Sequence, residues 1–158
     1  MPRHTDEKPE ITVRRAAMNL LARREQSFHE LFTKLAQKHP ELDKSQVILP
    51  ALERLRDENL QSDERFVESY VRYRLIRGNG PLKITIELRQ KGVNENLIRG
   101  GVYADNIKWN VHCSEVLFKK FGSDNLDSQK VKQKCYLFLS RRGFDGEHIR
   151  DAMGFHVD

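Results

Sequence analysis

A line of sequence nearly recurs in this chain. Leu88-Arg89-Gln90-Lys91-Gly92-Val93 is followed five residues later by Ile98, and Leu139-Ser140-Arg141-Arg142-Gly143-Phe144 is followed five residues later by Ile149. Each matched residue lies 51 positions after its counterpart, from 88 to 139, 92 to 143 and 98 to 149. A helix that ends in a basic residue, then a glycine, an apolar residue and a new helix, is a supersecondary unit. Two copies at one spacing point to an array of small helical modules, and such arrays present long surfaces to extended partners. The competing reading is one irregular helical bundle in which the recurrence is chance.

The apolar pattern is helical throughout, with no convincing period-2 run. Val13, Ala17, Leu20 and Leu21 share a face with Arg24, and Phe28, Leu31, Phe32 and Leu35 form a stripe behind a Ser27/Glu30 capping box. Val47, Ile48, Ala51, Leu52 and Leu55 mark a third helix, which Pro50 makes start late or kink. Ser62-Asp63 caps a fourth helix, Pro81 opens a fifth that Gly92 closes, and Asn94 starts a short sixth weakened by Gly100-Gly101. A seventh runs from Trp109 to Gly122 and an eighth from Val131 to Gly143. Asp145 caps a ninth that ends near Met153. The expected fold is all-α: an elongated, curved array of tandem three-helix repeats. Residues 1–10 are expected as a disordered tail, with repeats over 11–59, 60–104 and 105–158.

Composition agrees with a thin array. The 158 residues are 38% hydrophobic and 32% charged, with a mean hydropathy of −0.69. That is polar for a compact enzyme. Each set of about 50 residues is marginal alone and needs its neighbours' interfaces. No stretch approaches the roughly 20 apolar residues that span a bilayer, and Met1–Glu10 has no apolar run of the secretory kind. Cys113 and Cys135 sit at apolar helical positions, not in a CxxC pair. They read as buried, reduced thiols in a reducing cytoplasm.

Enzyme patterns fail on particular residues. His29-Glu30 begins like a zinc-protease HExxH, but Thr33 stands where the second histidine belongs. Gly78-x-Gly80 lacks the third glycine of a dinucleotide loop, which is Lys83 here, and follows no strand. No GxxxxGK[ST] loop is present, and Asp124 and Asp127 lack EF-hand spacing. Scattered histidines, His112 among them, suit helix surfaces better than a metal. No catalytic residue, metal or cofactor is expected.

Positive charge is concentrated instead. The net charge is +5 and the isoelectric point near 9.3. From Arg72 to Lys91 six cations (Arg72, Arg74, Arg77, Lys83, Arg89 and Lys91) face one acid, Glu87, with Tyr73 among them. From Lys130 to Arg142 come Lys130, Lys132, Lys134, Arg141 and Arg142 with no acid, and Lys119-Lys120 approaches from the preceding helix. Clustered cations neutralise phosphates, and an aromatic offers a stacking surface for an unpaired base. The bland reading is a solvated helix face, with Arg89, Lys91, Arg141 and Arg142 serving the helix dipole in last turns. For the middle group a binding face is favoured, because arginine predominates and its planar fork suits phosphate or carboxylate. Asp57, Glu58, Asp63 and Glu64 make an acidic junction between the first and second sets. A partner with both basic and acidic surface suits that asymmetry.

These residues carry a family likeness. Ser62-Asp63-Glu64-Arg65-Phe66, Tyr73-Arg74 and Gly80-Pro81-x-x-Ile84-x-x-Glu87-Leu88-x-x-Lys91-Gly92-Val93 resemble the central motif of the RecX family of recombinase regulators. Leu20-Leu21-x-Arg23-x-x-x-Ser27-x-x-Glu30-Leu31-x-x-Lys34-Leu35 agrees in the first set. Lys119-x-Phe121-Gly122 and Phe138-Leu139-x-Arg141-Arg142-Gly143-Phe144 agree in the third. The resemblance spans Ile11 to Met153. It implies tandem three-helix repeats that bind the RecA recombinase in the groove of its filament on single-stranded DNA. It also implies suppression of ATP hydrolysis, strand exchange and LexA co-protease activity, through blocked filament extension or promoted disassembly, and in many members direct DNA binding. Asn59 stands where members often have glycine, and Gln61 replaces a common aspartate. Both departures are expected to alter a turn and not the function.

The expected role is therefore a stoichiometric, monomeric, non-catalytic modulator whose modest contacts add up along a filament. Arg72, Tyr73, Arg74, Arg77, Lys83, Arg89 and Lys91, with Lys130, Lys132, Lys134, Arg141 and Arg142, are its candidate partner and DNA contacts. Reversing Arg72 and Arg74 to glutamate is expected to abolish inhibition and leave the fold intact. The alternatives are a basic helical protein that binds DNA without a recombinase, and an adaptor for an unrelated protein.

Overall fold

The computed structural model describes residues 7–122 and 128–154. Among them are nine α-helices and no strand: α1 (Pro9–Arg23), α2 (Phe28–Lys38), α3 (Leu49–Asp57), α4 (Asp63–Ile76), α5 (Pro81–Gln90), α6 (Glu95–Val102), α7 (Trp109–Phe121), α8 (Gln129–Arg141) and α9 (Gly146–Ala152). The strong helix–helix packing falls within consecutive threes, α1–α3, α4–α6 and α7–α9, so the fold is a tandem array of three-helix sets.

The helix starts follow side-chain chemistry. Ser27, Ser62, Asn94 and Asp145 each accept a hydrogen bond from a backbone N–H of the first turn they cap. Only half of the expected capping box forms at Ser27. Glu30 turns away from the cap and pairs with Arg24 at 2.8 Å. Pro50 makes its helix start late: α3 begins at Leu49, after a π-helical turn at Lys44–Ile48 capped by Asp43. The expected tail over residues 1–10 needs one correction, because α1 begins at Pro9, with proline at its tolerant first position. Glu7 anchors that start by accepting from Thr12 and Arg15. The rest of that tail, residues 1–6, lies outside the described residues, as do Asp124 and Asp127.

Asn59 is the one non-glycine residue with a positive φ, +61°, among the described residues. Asparagine tolerates this left-handed turn, which explains how it can replace glycine there. Gln61 is buried beside it and donates to the Gln26 carbonyl at 3.2 Å and to Asp63 at 2.9 Å. Gly101, inside α6, faces Val67 so closely that any β-carbon would collide with it, and so α4 and α6 approach through a missing side chain.

Two apolar cores result. The first set closes on Val13, Ala17, Leu31, Leu35, Ile48, Leu52 and Leu55. The second and third sets share one continuous core, from Phe66 and Val67 through Ile84, Leu88 and Trp109 to Phe144 and Ile149. Trp109 stitches the two together: its indole N–H donates to the Val102 carbonyl at 2.8 Å and its ring meets Phe144 edge-on. Cys113 and Cys135 are buried, free thiols in that core, and burial pushes Cys113 up to about 12.

The recurring line proves to be a docking turn. Val93 and Phe144 each donate a backbone hydrogen bond at 3.2 Å to the carbonyl five residues back, Leu88 and Leu139, while Gly92 (φ +73°) and Gly143 (φ +95°) take the left-handed conformation. Each turn then receives the start of the preceding set's second helix. Ser27, capping α2, donates through Oγ to the Lys91 carbonyl at 2.8 Å, and a β-carbon on Gly92 would lie 2.6 Å from His29 Cβ. Gly80, capping α5, donates through its N–H to the Arg142 carbonyl at 2.7 Å, and Leu82 donates to the Gly143 carbonyl at 2.9 Å. A β-carbon on Gly80 would lie 2.5 Å from the Gly143 backbone. Both glycines of that second contact are needed for backbone to meet backbone.

Candidate functional site

The structure divides the candidate cations by what each already holds. Arg74 is half-buried on α4 and clasps Glu87 of α5 with two hydrogen bonds, 2.9 and 2.7 Å, while the Tyr70 hydroxyl donates to the same carboxylate. Burial alone would raise the Glu87 carboxyl. The Arg74 and Tyr70 hydrogen bonds and the Arg74 charge outweigh it, and the group ends below the usual glutamate value. Burial and that same hydrogen bond hold the Tyr70 hydroxyl well above its ordinary range. Arg74 therefore pins α4 to α5, and the expectation that its reversal leaves the fold intact is corrected. A glutamate at position 74 would face Glu87 across a half-buried contact.

Lys91 is also a structural cation. Its ammonium lies 3.8 Å from Glu30 of the first set and 5.5 Å from the Tyr70 ring centroid. Glu30 is buried to the same end. Burial raises its carboxyl, but the Arg24 hydrogen bond and the Lys91, Arg24 and Lys34 charges bring it below the usual value. Arg89 is exposed and paired with Glu95 at 2.5 and 3.2 Å. Arg72 is exposed and leans toward Glu68, four residues earlier, at 3.4 Å. Exposed pairs of this kind contribute little to stability and exchange readily for another anion.

The remaining cations are brought together across two sets. Arg77, at the end of α4, stacks over Tyr73 at 4.6 Å from the ring centroid. Arg142, at the end of α8, donates to the Arg77 carbonyl at 3.1 Å and lies 5.1 Å from the Phe138 ring centroid. Lys120 of α7 covers the same ring at 5.7 Å. With Lys119 they surround a groove of about 650 Å³ floored by Leu75, Val116 and Phe138. No carboxylate pairs with any of these four among the described residues. The one acid on the groove, Glu115, sits 3.5 Å from His112. Lys83 is placed differently, its backbone pressed against Gly143 in the docking turn. Lys130, Lys134 and Arg141 are exposed on α8, with Lys132 half-buried beside them.

Lys119 and Lys120 stood outside the candidate set, although they share the groove with Arg77 and Arg142. The pattern Phe138-x-x-x-Arg142, one helical turn with a ring beside a cation, was the local signal for it. No group of three or more histidine, cysteine, aspartate or glutamate side chains could hold a metal among the described residues. No described helix is long and apolar enough to cross a membrane.

Comparison with known proteins agrees with this architecture. Residues 62–100 match the family model of the RecX second three-helix domain, and residues 112–153 match that of the RecX third three-helix domain. The regulatory protein RecX of Chromohalobacter salexigens is 41% identical over 144 residues, which is 91% of this chain and 92% of that one. The chain belongs to the RecX family of regulatory proteins. The RecX proteins of Legionella pneumophila and Pseudomonas entomophila are 40% and 37% identical, over 85% and 88% of this chain and 87% and 88% of their own. The crystal structure of RecX from Lactobacillus salivarius superposes with a TM-score of 0.72, covering 93% of this chain and 96% of that one at 23% identity. That likeness extends the RecX fold to the whole three-set array.

Proposed function

We propose that this RecX-family chain is a non-catalytic, monomeric regulator that binds the RecA recombinase and its filament on single-stranded DNA. In this reading it works in the cytoplasm, where it inhibits ATP hydrolysis, strand exchange and co-protease activity and so tempers recombination, DNA repair and the SOS response. The observation that carries the reading is the 41% identity to a regulatory protein RecX over 91% of the chain. The geometry supports it. Three sets in tandem carry contacts at several places on one molecule, and contacts distributed that way add through effective concentration. Arg72, Arg77, Lys83, Arg89, Lys130, Lys134 and Arg141 supply charge for the acidic recombinase surface or DNA phosphate, with Tyr73 beside Arg77.

The test is RecA ATPase on single-stranded DNA titrated with this chain. Inhibition is expected near one chain per several filament subunits, well below the concentration that binds naked DNA. Because Arg74 is structural, the diagnostic variant is Arg72→Glu with Arg77→Glu, which should raise the half-inhibiting concentration about tenfold, the equivalent of 1.4 kcal/mol. Full inhibition by that variant would remove both residues from the interface. An unaltered chain that binds DNA with a log–log salt slope near −0.7 per phosphate, and leaves the ATPase untouched, would instead establish a DNA-binding protein acting alone.

A further inference from the structure

We infer that the groove between the second and third sets is a docking site for an acidic peptide segment carrying an aliphatic anchor. This goes beyond the recombinase reading, because it concerns the chemistry of the groove whichever protein brings the peptide. The groove has two unlike parts. Its floor is apolar and partly open: Val116 is half-buried, and Ile76 at the lip is 73% exposed. An isoleucine left that bare at the end of a helix, next to a cavity of about 650 Å³, lacks a cover. The rim carries four cations, Arg77, Lys119, Lys120 and Arg142, against one acid, Glu115, which sits beside His112, and no carboxylate pairs with any of the four among the described residues. Apolar floor and unneutralised cationic rim complement a leucine-like side chain flanked by carboxylates.

The same details weigh against a nucleic acid in this groove. Base recognition on single strands needs a free aromatic face. Phe138, the ring in the floor, is already covered by Lys120 and Arg142 and met edge-on by Phe121 at 5.6 Å. Tyr73 is half exposed but lies outside the groove, with Arg77 over one face of its ring. What remains open is aliphatic, which holds a leucine or isoleucine and offers a base nothing to stack on.

The experiment is fluorescence anisotropy on the full chain, without recombinase, so that its outcome is separate from the ATPase test. The probe is a labelled synthetic peptide of leucines interspersed among glutamates. Its controls are the same peptide with glutamine for glutamate and a thymidine oligonucleotide. The glutamate peptide is expected to bind, and Lys119→Glu with Lys120→Glu, both exposed, should weaken it about tenfold (1.4 kcal/mol). Ile76→Ser should weaken it about threefold without moving the unfolding midpoint, since the side chain is mostly in water already. Equal binding of the glutamine peptide, or undiminished binding by both variants, overturns the proposal. So does an oligonucleotide that binds more tightly and is weakened by the same lysine reversal.

Discussion

The two junctions of this array use the same turn and hold by different forces. At the second–third junction, apolar packing continues from one set into the next around Trp109, and backbone meets backbone between Gly80 and Arg142-Gly143. At the first–second junction the two cores stay separate, and the contact is made of polar groups. Asp63 accepts from the Phe28 N–H at 2.9 Å, Arg65 reaches Glu25 at 3.0 Å, and Lys91 faces Glu30. Apolar continuity makes two sets melt as one unit, because neither keeps its core without the other. Hydrogen bonds and ion pairs orient a neighbour but contribute only about 1 kcal/mol each, so the first set is docked where the other two are fused.

That contrast can be broken most severely at Gly80. Gly80→Ala places a β-carbon 2.5 Å from the Gly143 backbone, which has no flexible end to move aside. A loss of about 3 kcal/mol or more is expected, with the second and third sets unfolding together in a denaturant titration. Arg74→Glu comes next, at about 2–3 kcal/mol, because it leaves Glu87 facing a like charge in a half-buried site. Arg74→Met, which keeps the bulk and removes the repulsion, should recover part of that loss. Gly92→Ala should cost about 2 kcal/mol, from its positive φ and the crowding of His29. Its readout is spatial: the crowding of His29 should quicken amide exchange in α1–α3 more than the φ strain quickens it in the fused core. If exchange quickens equally in all three sets, the distinction between docked and fused junctions fails.

Acid should separate the two junctions as well. Glu30 and Glu87 are held below the ordinary glutamate value of 4.5, so their ionised forms favour the fold. Their contribution is complete above that value and is lost as pH falls through the lower folded-state values. As pH falls below 4.5 the first set should loosen before the fused core melts, since Glu30 faces Lys91 across the polar junction. The smallest effect is sought at Lys119→Glu with Lys120→Glu, whose unfolding free energy should change by less than about 0.5 kcal/mol.

Much of the scaffold was legible from local rules. Caps at Ser27, Ser62, Asn94 and Asp145, prolines at helix starts and glycines at helix ends all act within one turn of themselves, which a sequence displays directly. What the glycines receive was not legible, because His29 and Lys83 reach Gly92 and Gly143 from some 60 residues away. The basic face was legible as composition and not as roles. Arg74 and Arg77 are three residues apart and alike on paper, yet one clasps Glu87 and the other rims a groove. Glu87, the lone acid among six cations, held the clue: a single carboxylate in such company is claimed by one of them. Lys119 and Lys120 join the site only when α7 lies between the ends of α4 and α8.

The docking turn also gives the array a direction. Each contact places the start of a second helix from one set into the glycine turn of the following set, a tongue entering a groove. The first set carries His39-Pro40-Glu41 where its own second helix ends, with no glycine to make the hollow. A tongue offered from another copy therefore finds no matching groove there. The first set's proline-bearing turn thus lacks the glycine hollow that the second and third sets present to their neighbours.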